Sequence, residues 1–243
     1  MSRIDLQVAA QDCLRCPIRH RAVCAACEGV ELARLAAMKS YRSWEAGETI
    51  VLEGEALPFV ASIVSGCATL TRSLEDGRTQ MVGLMLPSDF VGRPGRADAP
   101  YEVVAATDVT MCLFDRTAFE AMMRDTPRVA RRLLEMSLDE LDAARDWMVL
   151  LGRKTAREKV ATLLAIVLRR ASTAAHPLRA ALPLTREAMA SYLGLTIETV
   201  SRQITALRRD GVIRLEGARE VLCDDLARLL AEAGDDGGGA FPA

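Results

Sequence analysis

The spacing of apolar residues along this chain changes character several times, and each change marks a boundary between elements. Over residues 29–39, GVELARLAAMK, the apolar positions Leu32, Leu35 and Ala36 recur at helical intervals. From about Ser40 the period shortens. ETIVLE, FVASIVSG, ATLTRSL and QMVGLML are β-like runs set apart by Gly47, Gly54, Gly66 and the pair Asp76-Gly77, and YEVVAAT and VTMCLFD continue them to Asp115. Short strands at this spacing predict a small antiparallel barrel of jelly-roll, cupin-like kind. Asp115 is placed to cap a helix beginning RTAFEAMM. Beyond Pro127 a much longer helical stretch, residues 128–153, carries Leu134, Leu138, Leu141 and Met148 at a four-three step, with Arg145 completing the register. Such a stripe either packs on its own domain or pairs with a second copy. The length of the helix favours a dimer seam, and the arginine within it suits a contact that can be weakened.

Residues 154–171 form a further amphipathic helix with many basic positions, and STAAHPLRAALP, broken by Pro177 and Pro183, reads as a loop. A compact unit follows at residues 184–230. Within it, LTREAMASYLGLTIETVSRQITALRRDGVIRLEG carries the strongest signal of the chain. Thr185, Ala188 and Met189 open one short helix, and Gly194 closes it by permitting a left-handed backbone. Thr196 then caps a second helix, with Thr199 at the third helical position. Val200, Ile204 and Leu207 give that helix its buried stripe, Asp210-Gly211 ends it, and VIRLEGAREVLCD reads as a β-hairpin wing. This is the pattern of a winged helix-turn-helix, whose second helix enters the major groove by its N-terminal residues. Glu198, Ser201 and Arg202 lie at i, i+3 and i+4 and so share one face. Arginine can bond guanine bidentately, glutamate can accept from cytosine, and serine serves either role. Arg208, Arg209 and Arg214 supply charge for phosphates. A solvated helix face with an internal Glu198–Arg202 ion pair is the plainer alternative, and it leaves the turn, caps and wing unexplained.

The predicted protein is therefore α+β. A cysteine-rich segment (1–29) precedes a β-barrel (30–125), a dimerisation helix (126–153), a winged helix-turn-helix (154–232) and a disordered tail (233–243).

Composition changes the picture at one point. The chain has 243 residues, 50% of them apolar and 26% charged, which suits one or two globular cores. A net charge of −2 means that DNA must be met by a local basic surface. Neither a cleavable leader nor a membrane-length apolar run is evident, so a cytoplasmic protein is expected. Seven cysteines make an odd count, and a reducing compartment disfavours structural disulfides. Four of them crowd the front of the chain, as Cys13-x2-Cys16-x7-Cys24-x2-Cys27. Paired CxxC motifs suit zinc, although the gap is shorter than the roughly 15–20 residues of a zinc ribbon. Thiolates equally hold iron–sulfur clusters, four to a cubane. Cys67 and Cys223 lie in apolar, strand-like surroundings and read as small buried hydrophobes. Arg15, Arg19 and Arg21 read as a solvated loop face. The only histidines, His20 and His176, stand in no catalytic motif, so an enzyme is not expected.

Taken together, the barrel, the long helix and a winged helix containing ETVSR resemble the CRP/FNR superfamily of bacterial transcription regulators over essentially residues 10–230. LGLTIETVSR is closer to the FNR branch. Ile197 stands where the cyclic-AMP receptor branch usually has an arginine, so the second guanine contact is absent. The resemblance implies an FNR-type inverted repeat, TTGAT-N4-ATCAA, read by Glu198, Ser201 and Arg202, with Thr196, Thr199, Arg208 and Arg209 in support. It also implies a [4Fe–4S] oxygen sensor with three N-terminal cysteines and a fourth from the barrel, here Cys112 in VTMCLF. CLRCPIRHRAVCAAC looks like the version in FNR-like proteins of alpha-proteobacteria. The ligand set is then Cys13, Cys16, Cys24 and Cys112, with Cys27 as the alternative to Cys24. By the same resemblance, the loaded protein is a homodimer that contacts RNA polymerase, and oxygen degrades the cluster and releases DNA. A regulator of the same family with zinc or no metal is the alternative.

The nucleotide-binding members of the superfamily show a Gly-Glu pair followed by Arg and Ser/Thr. Here Gly92 is followed by Arg93, and the later site reads YEVV. A buried phosphate would lack its charge-assisted bonds, so a cyclic nucleotide is not expected, although Arg93 and Arg96 remain within reach of an anion.

Overall fold

A computed structural model describes residues 12–171, 178–217 and 219–234. They divide within one long helix into two units, the first ending at Ser137 and the second beginning at Leu138.

The first unit opens with a run of tight turns over residues 12–27. Backbone bonds join Arg19 N–H to the Cys16 carbonyl (3.0 Å), Ala22 N–H to Ile18 (2.9 Å) and Cys27 N–H to Cys24 (3.0 Å). Helix α1 (Gly29–Met38) follows. Eight strands come next: β1 (Lys39–Trp44), β2 (Thr49–Val51), β3 (Phe59–Ser65), β4 (Ala68–Ser73), β5 (Thr79–Met85), β6 (Phe90–Val91), β7 (Glu102–Ala105) and β8 (Val109–Asp115). They form two antiparallel four-stranded sheets, ordered β1-β8-β3-β6 and β2-β7-β4-β5. The inner faces enclose Trp44, Ile63, Ala68, Met85, Val103, Val109, Met111 and Leu113 in one core.

Alternation along β8 sends its side chains to two different cores. Met111 and Leu113 point between the sheets, while Cys112 and Phe114 point outward. That outer face is covered in turn. Ile18, Ala22, Val23 and Cys27 of the turn segment, Leu32 and Leu35 of α1, and Phe119 and Met122 of α2 (Arg116–Asp125) pack on it in a second core. The Asp115 carboxylate caps α2 by accepting from Ala118 N–H at 2.8 Å. Helix α2 intervenes between Cys112 and the long helix, α3 (Pro127–Arg153). Proline at the first position of α3 removes a donor that would have no intrahelical partner there, and Val129 sits in the second core.

The second unit comprises the remainder of α3, then α4 (Ala156–Ala171), β9 (Leu178–Ala181), α5 (Arg186–Leu193), α6 (Ile197–Arg209), β10 (Arg214–Glu216), β11 (Glu220–Cys223) and α7 (Leu226–Glu232). One expectation is corrected here. The stretch read from sequence as a loop supplies β9, which pairs antiparallel with β11 and makes the wing a three-stranded sheet, β10-β11-β9. The basic stretch expected to be helical over residues 154–171 forms its helix from Ala156. Residues 1–11, 172–177 and 235–243, which include most of the expected tail, lie outside the described residues. Among the described residues no helix is long and apolar enough to cross a membrane.

Candidate DNA-binding face and cysteine site

The helix-turn-helix is set by local chemistry. The Thr185 hydroxyl accepts from Ala188 N–H at 3.1 Å and opens α5. Gly194 closes it at φ +61°, a left-handed conformation that a side chain would strain. The Thr196 hydroxyl then accepts from Thr199 N–H at 3.2 Å and starts α6. Val200, Ile204 and Leu207 are buried, which leaves Glu198, Ser201, Arg202 and Thr205 on the exposed side and Thr199 half-buried beside them. The N-terminal backbone of α6 and the Thr196 hydroxyl hold the Glu198 carboxyl below its ordinary range, so it stays an acceptor. Among the described residues Glu198 and Arg202 form no ion pair with each other; the Arg202 guanidinium instead lies 3.5 Å from the Thr199 hydroxyl. Arg208 and Arg209 are exposed at the end of α6, with Arg209 beside Asp210 at 3.1 Å. Arg214 is engaged within the wing by Asp224 at 2.7 Å rather than offered to a phosphate.

Two supports of this unit carry no sequence motif. Buried Lys159 of α4 donates to the Leu193 carbonyl at 3.2 Å, satisfying the end of α5. Trp147 of α3 stacks on Tyr192 of α5, ring centroids 4.0 Å apart. The helix with the apolar stripe therefore also holds the first helix of the DNA reader. On α3, Leu134, Leu138, Leu141 and Met148 are all exposed in the single chain, at 59, 51, 45 and 73%.

The cysteine site assembles on the outer face of the β1-β8-β3 sheet. Burial raises the Cys112 thiol to about 12, opposed by a hydrogen bond from the Tyr41 hydroxyl and reinforced by Cys16, Cys24 and Cys13. Burial likewise raises Cys24 to about 11, against the nearby Arg19, with Cys16 and Cys13 adding to the rise. Cys16 is raised by burial too, and Cys13 contributes. Cys13, Cys16 and Cys24 thus pack against the core that holds Cys112, each near enough to act on its charge. Cys27 behaves differently. It is fully buried in the apolar core and raised by burial and then by Glu31, and it lies near enough to Cys24 to raise that thiol as well. The Arg19 guanidinium donates to the Ala25 carbonyl at 2.7 Å and to the Cys27 carbonyl, which pins this turn. Arg19 is therefore a clamp on this segment, not a member of a solvated face. His20 is exposed.

Strand β1 lines the site with donors that sequence reasoning missed. Lys39 Nζ lies 3.1 Å from Cys13 Sγ. Tyr41 stands directly opposite Cys112 in the β1–β8 register, and Ser62 stands opposite it in the β3–β8 register. The Ser62 hydroxyl is buried without a partner. In the loop between β6 and β7, Arg96 is exposed and bound to Asp98 at 2.7 Å.

The chain matches the profile of the cyclic nucleotide-binding domain over residues 41–126 and that of the Crp-like helix-turn-helix domain over residues 127–232. It is 62% identical over 95% of both chains to the transcriptional activator protein FnrL of Cereibacter sphaeroides. It is 37% identical to the nitrogen fixation regulation protein FixK of Bradyrhizobium diazoefficiens, over 84% of this chain and 86% of that one.

The chain belongs to the FNR branch of the CRP/FNR family.

The solved structure of FixK2 from Bradyrhizobium japonicum superposes on this CRP/FNR regulator with a TM-score of 0.74 at 34% identity, covering 83% of this chain and 99% of that one. The protein is a transcription regulator that meets DNA through its helix-turn-helix. In this family member the thiols of Cys13, Cys16, Cys24 and Cys112 are soft donors, and Lys39 and Arg19 bring positive charge beside them, which fits an anionic iron–sulfur cluster. Among the described residues no three His, Cys, Asp or Glu side chains close on a single point as one metal ion demands.

Proposed function

We propose that this regulator is an oxygen-responsive transcriptional activator that holds a [4Fe–4S] cluster on Cys13, Cys16, Cys24 and Cys112. The observation that supports the reading is the packing of the turn-segment thiols Cys13, Cys16 and Cys24 against the core that holds Cys112, with Cys27 more deeply buried than those three. When bound, such a cluster supplies oxygen-labile iron–sulfur chemistry and a four-point tie between loop and strand. Burial keeps the thiols protonated in its absence, so loading releases protons and works against that penalty. Lys39 and Tyr41 donate to Cys13 and Cys112 and orient them.

The stripe Leu134, Leu138, Leu141 and Met148 pairs with its copy in a second chain, because four exposed large apolar residues on one helix face need covering. Pairing sets two α6 helices at successive major grooves of a two-fold operator. Glu198, Ser201 and Arg202 read base edges in the inverted repeat TTGAT-N4-ATCAA, with Thr196, Thr199, Arg208 and Arg209 on the backbone. RNA polymerase is the further partner in activation, and no cyclic nucleotide enters the scheme. Regulation by zinc or by no metal remains the competing reading. Iron and sulfide analysis of anaerobically purified protein separates them: about four of each per chain is expected, and zinc or no metal overturns the cluster.

A further inference from the structure

The turn segment meets the start of α3 through one well-formed bond. Arg132 of α3 donates from one terminal nitrogen to the Arg21 carbonyl at 2.7 Å. Arg21 lies between Cys16 and Cys24 in the sequence. The other terminal nitrogen of Arg132 lies 3.4 Å from Glu135, one turn along the same helix. The Arg132 side chain is largely sheltered, at 23% exposure, and around it Val129, Leu133 and Met136 pack in the core that contains Ile18, Ala22 and Val23. Position 132 thus holds a guanidinium with two acceptors: a carbonyl whose place depends on the fold of the cysteine segment, and a carboxylate on its own helix. The dimer stripe begins two residues later, at Leu134.

We infer that Arg132 is the strut that couples the order of the cysteine segment to the position of α3 and hence to dimerisation. With residues 12–27 held, the fork spans Arg21 and Glu135 and fixes the first turns of α3. When the segment loosens, the carbonyl leaves, the guanidinium falls back on Glu135, and those turns lose their anchor. A charge-assisted bond in a sheltered place is strong enough for this. The neighbouring Arg128–Glu28 pair, at 3.8 Å and with both side chains mostly exposed, is not. Arg132 is a positioning residue and touches none of the thiols.

The inference rests on the cluster proposed above, and the test separates the two. Full-length wild type, Arg132→Met, Arg132→Lys and Arg128→Met are each prepared anaerobically loaded and again after iron is stripped by a chelator. Iron, sulfide and the dimer dissociation constant by sedimentation are measured for all. The wild-type ratio of stripped to loaded constants is expected in the usual range for coupled sites, about 5–150-fold. Arg132→Met should keep wild-type iron and sulfide while that ratio falls toward one. Arg132→Lys, with its charge but no fork, should lie between, and Arg128→Met should match wild type. Full iron with an unchanged ratio in Arg132→Met overturns the strut. Loss of iron in both Arg132 variants also overturns it, because the residue would then serve the site and not the coupling. A wild type that holds no iron, or dimerises equally well loaded and stripped, refutes the parent reading before any variant is considered.

Discussion

At the scale of single residues, the proposed cluster site depends on where each thiol is buried. Cys112 and Cys27 are both buried in one core, but Cys112 is acted on by Cys16, Cys24 and Cys13, whereas Cys27 is raised by burial and Glu31. Cys112→Ser should therefore abolish iron binding in anaerobic protein. Cys27→Ser should keep about four irons per chain and instead lower stability by roughly 1–3 kcal/mol, because a hydroxyl is left buried among apolar groups. Iron analysis with a urea melt of each variant checks both, and iron loss from Cys27→Ser would reverse the assignment. At the DNA face, Arg202→Ala should cost roughly 1–3 kcal/mol of discrimination at one guanine, read by competition with base-substituted operators. The cysteine pattern was visible in the sequence, but the choice between Cys24 and Cys27 was not. Both follow the same kind of spacing, and their different burial depends on how the turn folds, with Arg19 bonded to the Ala25 and Cys27 carbonyls.

At the scale of elements, local chemistry made most of the fold legible. Thr185, Gly194 and Thr196 announce the helix-turn-helix because their caps and turn are short-range. Strands β3, β4 and β8 showed in their apolar runs. Strand β1 did not, since KSYRSW buries only Trp44 and owes its conformation to pairing with β8. Its donors Lys39 and Tyr41 were hidden with it. Strand β9 was hidden for a like reason, as LRAA is alanine-rich and is extended only by its pairing with β11. Gly194→Val should destabilise the DNA-binding unit by about 1–2 kcal/mol through its left-handed backbone. The same unit has an acid-sensitive tie. Arg157 of α4 binds Asp210 at 3.0 Å and Glu232 at 2.6 Å. Arg209 and Arg157 lower the Asp210 carboxyl, and Arg157 lowers that of Glu232. A depressed carboxylate stabilises above its unfolded pKa, near 4, and loses that contribution as pH falls through its folded value. Thermal melts of wild type should thus fall more steeply below about pH 4 than those of Arg157→Met. Parallel curves would show that the tie contributes nothing.

At the scale of the whole molecule, one helix belongs to both units. Its first turns pack on the cysteine segment through Val129 and Arg132, its exposed stripe awaits a second copy, and its far turns stack on α5 through Trp147. Leu138→Glu should leave the cluster loaded but the protein monomeric and without operator binding. A tight dimer in that variant would place the seam elsewhere.

The most direct test of the central claim is one experiment on anaerobically purified wild type: visible spectrum, iron and acid-labile sulfide, then sedimentation before and after exposure to air. The account predicts about four irons and four sulfides per chain and a dimer that dissociates as the cluster bleaches in air. A colourless protein, or a dimer indifferent to air, would contradict it and leave a DNA-binding regulator that answers to some other signal.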